Sequence, residues 1–174
     1  MFSNVVTANW VESFVGGHID LVSREDLGAL SDIYDCGETE GQYYCGFDLD
    51  YRGVPMDAKV SVNDDEISRV ELIALMTPYH YTRIPFSLRV DGFELVEVLI
   101  GEQRFNVAEE LAKHSAAETD KKLVEFLNLS PISVSKVFTW VRKNEIQDRL
   151  ATETVCMKSD KEQISLVWMS NPSF

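Results

Sequence analysis

The sequence is short of basic side chains, of cysteine and of long apolar runs, and each shortage narrows what the chain can be. Its 174 residues hold 16 Lys and Arg against 29 Asp and Glu, a formal net charge of −13. A nucleic-acid binder needs a basic face to displace counterions, and an anionic membrane attracts basic segments, so neither is an expected partner. No apolar run approaches the length of a membrane span, about 18 residues. The opening MFSNVVTANWVESF lacks the basic and apolar regions of a secretory signal. Three cysteines are an odd number and no CxxC spacing occurs, so Cys36, Cys45 and Cys156 are expected to be free thiols of a cytoplasmic, reduced protein. What remains is a globular composition, 45% apolar and 26% charged, long enough to bury a sizeable core.

The negative charge is unevenly placed. Residues 1–102 hold 19 acids and 6 bases, whereas residues 103–174 hold 10 of each. Between 11 and 50, ten acids face Arg24 alone. A one-sided surplus sets up a field that steers a basic partner, which an evenly spread solubility surface would not do.

Periodicity divides the chain into helices and two runs of strands. ANWVESFV (8–15) places Trp10, Val11 and Phe14 on one helical face, stopped by Gly16-Gly17. SREDLGALSDIYD (23–35) opens on a Ser23/Asp26 capping box and continues with Leu27, Leu30, Ile33 and Tyr34 at helical spacing. Period-two alternation then predicts strands at 42–51, 55–63 and 67–76, with turns at Arg52-Gly53 and Asp64-Asp65. In the first of these, alternation puts Tyr44, Gly46, Asp48 and Asp50 on one face and Tyr43, Cys45, Phe47, Leu49 and Tyr51 on the other.

Residues 77–90, with two prolines, read as a connector with a short edge segment near Ile84–Val90. In 91–102, Asp91-Gly92 suits a hairpin turn, but Asp91 and Glu94 also form a capping box before Phe93, Val96 and Ile100, which favours a helix. The stretch from Asn106 is helical, with Asn106 as one cap and Thr119 as a second. Strands return at 136–143, 149–157 and 163–169, with turns at Asn144-Glu145 and Ser159-Asp160-Lys161. Together these predict an α+β fold: an antiparallel sheet of two three-stranded meanders, helices on one face, in a degenerate tandem repeat of 1–82 and 83–174 within one structural unit.

Motifs for chemistry are sparse. There is no GxSxG elbow, no GxGxxG or GxxxxGK loop, and the three histidines are isolated. Cys36 follows an acidic segment at an expected helix C-terminus, which raises a thiol's pKa and opposes nucleophilic use. Asp48-Leu49-Asp50 lacks the further ligands a magnesium site requires. No catalytic residue, metal ligand or cofactor is therefore assigned. Asp32, Asp35, Glu38, Glu40, Tyr44, Asp48 and Asp50 are the candidate partner-binding residues, because they join the surplus charge to a tyrosine expected on the same side.

The segment RIPFSLRVDGFELVEVLIGEQRF (83–105) resembles a passage of bacterial immunity proteins from polymorphic-toxin and bacteriocin systems, where an LPFGL-like motif precedes a capped helix ending in LGEP. Ile84-Pro85-Phe86-Ser87-Leu88 and Leu99-Ile100-Gly101-Glu102 stand in those places, and Gln103 replaces the proline. The helix-and-meander repeat is similar to that of β-lactamase inhibitory proteins. The resemblance covers about 25 residues and implies a class: small, cytoplasmic, non-catalytic proteins that bind and block one toxin. The expected function is thus an immunity or inhibitor protein for a basic toxin such as a nuclease. An acidic secretion chaperone and a phage-type DNA mimic are the alternatives; carboxylate-based enzyme chemistry ranks below them.

Overall fold

In the computed structural model, residues 9–146 and 149–169 are described. They form two compact units, one of residues up to Ile73 with Met169, the other Ala74–Trp168. Five helices and nine strands occur among the described residues, an α+β fold whose described pairings are all antiparallel.

The first unit begins with α1 (Trp10–Val15), capped by the Asn9 side chain, which accepts from Val11 N at 3.1 Å. Trp10, Val11, Phe14 and Val15 are buried, and α1 packs on β2. Two bonds fix its approach: Asn9 Nδ2 donates to Asp50 O, and Arg52 N donates to Glu12 Oε1 at 3.0 Å. The helix α2 (Arg24–Gly28) has the expected box, with Asp26 Oδ2 accepting from Ser23 N at 2.7 Å and Val22 N at 2.9 Å. These backbone donors hold the Asp26 carboxyl below its usual pKa.

The helix expected over 23–35 stops there. Asp32 turns the chain with φ 61°, and Tyr34–Asp35 forms β1, paired with Cys45 and Tyr44 of β2 (Tyr43–Tyr51). Local helical spacing of Ile33 and Tyr34 yields to ladder bonds that only a distant segment supplies.

The meander itself matches the alternation. β2, β3 (Val54–Asn63) and β4 (Glu66–Leu75) pair in chain order. Arg52-Gly53 and Asp64-Asp65 take positive φ at both positions, the turn whose twist suits a two-residue hairpin. Val54, Met56, Ala58, Val60 and Val62 alternate with exposed neighbours and meet Val70 and Leu72 of β4 in the core.

The second unit departs further from the sequence pattern. The expected connector is a helix, α3 (Pro78–Val90). Thr77 caps it, accepting from His80 N at 3.0 Å, and Pro78 sits in the first turn, where its missing N–H has no helical partner to lose. Pro85 lies inside the helix, which buries Ile84, Ser87 and Leu88 at helical spacing. Conversely, the helix expected over 91–102 is β5 (Glu94–Ile100). Gly92, at φ 88°, reverses the chain after α3, and the β-branched Val98 and Ile100 gain ladder partners. β6 (Gln103–Asn106) follows, then α4 (Val107–Leu111), capped by Asn106, and α5 (Ala116–Leu127). Ser115, not Thr119, caps α5; Thr119 is buried within it. Ser115 and Glu118 form a full capping box, which lowers the Glu118 pKa through the Ser115 backbone and hydroxyl.

β7 (Lys136–Ile146), β8 (Arg149–Ser159) and β9 (Gln163–Met169) form the second meander, and the unit's strand order is β9-β8-β7-β5-β6. Asn144-Glu145, expected as a turn, lies within β7, which continues to Ile146. Tyr81 of α3 meets Phe138 of β7 edge-on with centroids 6.2 Å apart, and Phe126 of α5 covers Phe105 of β6 at 5.5 Å. Both expected meanders are present, but the elements before them differ. Two short helices and the edge strand β1 precede the first, whereas a long helix, a hairpin and two further helices precede the second.

A buried ion pair ties this unit together. Arg142, 7% exposed, forks onto Glu153 through Nε at 3.1 Å and through Nη2. Its Nη1 donates to Asp91 O at 3.0 Å, its guanidinium lies 4.4 Å from the Phe93 ring centroid, and Trp168 Nε1 donates to Glu153 Oε1 at 3.1 Å. The pair thus joins β7, β8, β9 and the turn before β5.

Two outcomes are expected. Replacing Glu153 by Ala leaves Arg142 buried without its carboxylate and should cost about 3–5 kcal/mol in denaturant unfolding, whereas Arg142→Lys keeps the charge and loses the fork, costing less. Glu118 has a lowered folded pKa, so its contribution is present above the unfolded value and lost as pH falls through the folded one. Wild-type stability should decline below about pH 4, and Glu118→Gln should flatten that decline in pH-dependent thermal melts.

Candidate acidic edge

The candidate site is built on the edge of the first unit, where β1 lies beside β2. Gly46 allows it. A side chain there would place Cβ 2.7 Å from the Asp32 carbonyl oxygen, so only glycine lets the 32–35 segment come this close. A β-bulge follows at 46–49, where Asp48 takes φ 53°.

The bulge changes which side chains face outward. Before it, Tyr44 and Gly46 pair with the buried Val60 and Ala58; after it, Leu49 and Tyr51 pair with the buried Met56 and Val54. The core face is therefore Tyr44, Gly46, Leu49 and Tyr51. The expected grouping of Tyr44 with Asp48 and Asp50 is corrected: Tyr44 is half-buried on the core side, while Asp50 shares the outer face with Tyr43 and Cys45. Phe47, expected on one face with Leu49 and Tyr51, is 58% exposed, and its ring lies 5.9 Å from that of Tyr34, itself 51% exposed. These two aromatic residues are the part of the surface that strict alternation missed. Gly46 inside a strand pattern is the sequence signal that could have exposed the bulge.

The free-thiol expectation is also corrected for two of three cysteines. Cys36 and Cys45 form a disulfide with Cα atoms 5.8 Å apart, and Cys156 keeps its thiol. Pairing of Tyr34 with Cys45 brings Cys36 alongside, a proximity invisible while 23–35 reads as a helix. The odd cysteine count thus describes one bridge plus one thiol, and the argument it gave for a reduced, cytoplasmic setting no longer holds.

The acids divide into two groups. Asp35 accepts from Gly37 N at 3.1 Å and Gly41 N at 2.5 Å, shaping the loop that the disulfide closes. Asp50 accepts from Gly53 N at 3.1 Å and shapes the β2–β3 turn. Asp32, Glu38, Glu40 and Asp48 are exposed and, among the described residues, have no ion pair. The neighbouring outer face of the sheet is mixed in sign: Lys59 lies over the Tyr43 ring at 4.4 Å and Arg69 pairs with Glu71 at 3.2 Å. Four exposed carboxylates, Asp32, Glu38, Glu40 and Asp48, therefore lie on the edge loop and bulge.

Among the described residues no three His, Cys, Asp or Glu side chains gather as a metal site, and no helix is long and apolar enough to cross a membrane. No family model matches the chain, and neither a curated protein nor a solved structure is significantly similar to it.

The bridge closes a loop of sequence separation 9 and should hold the acidic edge in shape. Thiol titration of the denatured, unreduced protein should find one reactive cysteine, and three after reduction. The Cys36→Ser/Cys45→Ser double variant should lose about 2–3 kcal/mol from loop closure, read by urea unfolding, with amide exchange rising first in 34–45.

Proposed function

We propose that this chain is a non-catalytic binding protein that captures and blocks a basic protein, such as a nuclease toxin, through its acidic edge. The observation that supports this reading is the exposed Tyr34–Phe47 ring pair set among the unpaired carboxylates of Asp32, Glu38, Glu40 and Asp48. Aromatic side chains supply the desolvated centre of an interface, and uncompensated charge around it accelerates encounter with a basic surface. The bridge, the Asp35 bonds to the loop backbone and the bulge hold these groups in place before a partner arrives, which lowers the entropy lost on binding. Carboxylates held this way can occupy phosphate positions on a nucleic-acid-handling partner and so exclude its substrate. The resemblance of residues 83–105 to immunity proteins is one of sequence alone, since the stretch expected there as a capped helix is β5. The Cys36–Cys45 bridge favours action in an oxidising compartment; in the cytoplasm the bridge would face reduction.

The test is to recover the partner by affinity capture from the native host and to measure its binding kinetics. Asp32→Asn with Asp48→Asn removes two charges while keeping a residue type that tolerates the left-handed backbone at both positions. Association at low salt should slow several-fold and lose part of its salt dependence, with dissociation little changed. Phe47→Ala should leave association unchanged and speed dissociation, at a cost of about 1–2 kcal/mol. Unaltered rates in both variants would place the interface elsewhere.

A further inference from the structure

The outer edge of β5 is only half paired. β7 runs along Glu94–Leu99 on one side, but on the other β6 reaches only from Gln103, opposite Ile100, to Asn106, opposite Glu97. At Asn106 the chain leaves the ladder and continues as α4. The stretch Glu94–Val96 therefore has ladder partners on the β7 side alone, at Glu94 and Leu95, and none at Val96. Among the described residues no other backbone hydrogen bond reaches it. A register shift between Leu95 and Glu97 marks a bulge at this point.

Beside this edge α4 leaves apolar surface uncovered. None of its residues is buried, and Leu111 is 48% exposed. Val107, Ala108 and Leu111 share one helical face, and that face lines a groove of about 400 Å³ with Leu95, Val96 and Val141. The volume falls in the range of ligand sites, and among the described residues Glu94 is the one charged residue on the groove wall. A strand edge calls for a partner that brings its own backbone N–H and C=O groups, an apolar wall calls for an aliphatic side chain, and Glu94 calls for a cation.

We propose that the groove between α4 and the half-paired Glu94–Val96 segment binds an extended peptide, which adds a short strand to β5, lays aliphatic side chains against Val107 and Leu111, and sets a basic side chain beside Glu94. This is strand addition, in which main-chain bonds give affinity and pockets for alternate residues give selectivity. The site lies wholly within residues 92–141 and does not depend on the acidic edge.

The probe is a blocked pentapeptide, Val-Ser-Val-Ser-Lys, whose alternate residues share one face. Binding to the intact chain is followed by amide chemical shifts and by fluorescence anisotropy of a labelled peptide. Shifts and slowed amide exchange are expected at Glu94–Val96 and Ala108. A version N-methylated at its backbone should bind about tenfold or more weakly, since it cannot complete the ladder. Ala108→Trp, at an exposed position, fills the groove without disturbing the core and should weaken binding to the same extent. Glu94→Gln should lower affinity for this peptide but not for one ending in Ser. Equal binding of the N-methylated peptide would overturn the proposal. So would shifts confined to Asp32–Asp50, binding of a fatty acid with no peptide binding, or protection of Glu94–Val96 through self-association alone.

Discussion

Pleating is the constraint on which the candidate surface depends. A strand with one buried face cannot change which residues it presents unless its period is broken, and β2 breaks it once, at Asp48. On either side of that residue the strand is regular and pairs with the same face of β3. Phe47 stays on the outer side with Tyr43 and Cys45, and the break returns Leu49 and Tyr51 to the core. Gly46 makes room for the Asp32 carbonyl, so the 32–35 segment can lie along the bulged strand and Cys36 can reach Cys45. Bulge, edge strand and bridge form one device.

Charge is used differently in the two units. In the second, one pair is buried on its arginine side: Arg142 and Glu153 complete each other's hydrogen bonds with Asp91 O and Trp168 Nε1, and the aromatic face of Phe93 covers the guanidinium. Such a pair ties strands together because removing either member strands the other in a poorly solvating interior. In the first, carboxylates such as Asp35 and Asp50 bond to backbone N–H groups and shape turns, while Asp32, Glu38, Glu40 and Asp48 remain in solvent. Solvated charges add little to stability, but their field extends roughly a Debye length, about 8–10 Å, from the surface. A pre-shaped acidic edge is suited to long-range attraction of a basic protein, and an apolar groove beside an incomplete ladder to short-range capture of a peptide. The two surfaces answer to different chemistry.

Much was legible in the sequence by itself. Alternation located the first meander, β2-β3-β4, nearly to the residue, since a half-buried strand writes its period directly into the order of side chains; in the second, β7 runs three residues past its expected end and β9 is buried continuously over Ile164–Trp168. The turns Arg52-Gly53 and Asp64-Asp65, the caps at Ser23 and Asn106 and the glycine stop after α1 were equally plain, because each is a local arrangement of backbone and neighbouring side chain. The concentration of acid between 11 and 50 needed only counting. Tertiary structure decided whatever required a partner far along the chain. Residues 34–35 became strand because Tyr44 and Cys45 offered a ladder, and 94–100 became strand because β6 and β7 lay on either side. Residues 78–90 became helix because Ile84 and Leu88 found a core to enter. The pairing of Cys36 with Cys45 and the return of Leu49 and Tyr51 to the core belong to the same class. Helical and extended states of a short segment differ locally by little, so burial and ladder bonds contributed by distant residues settle the choice.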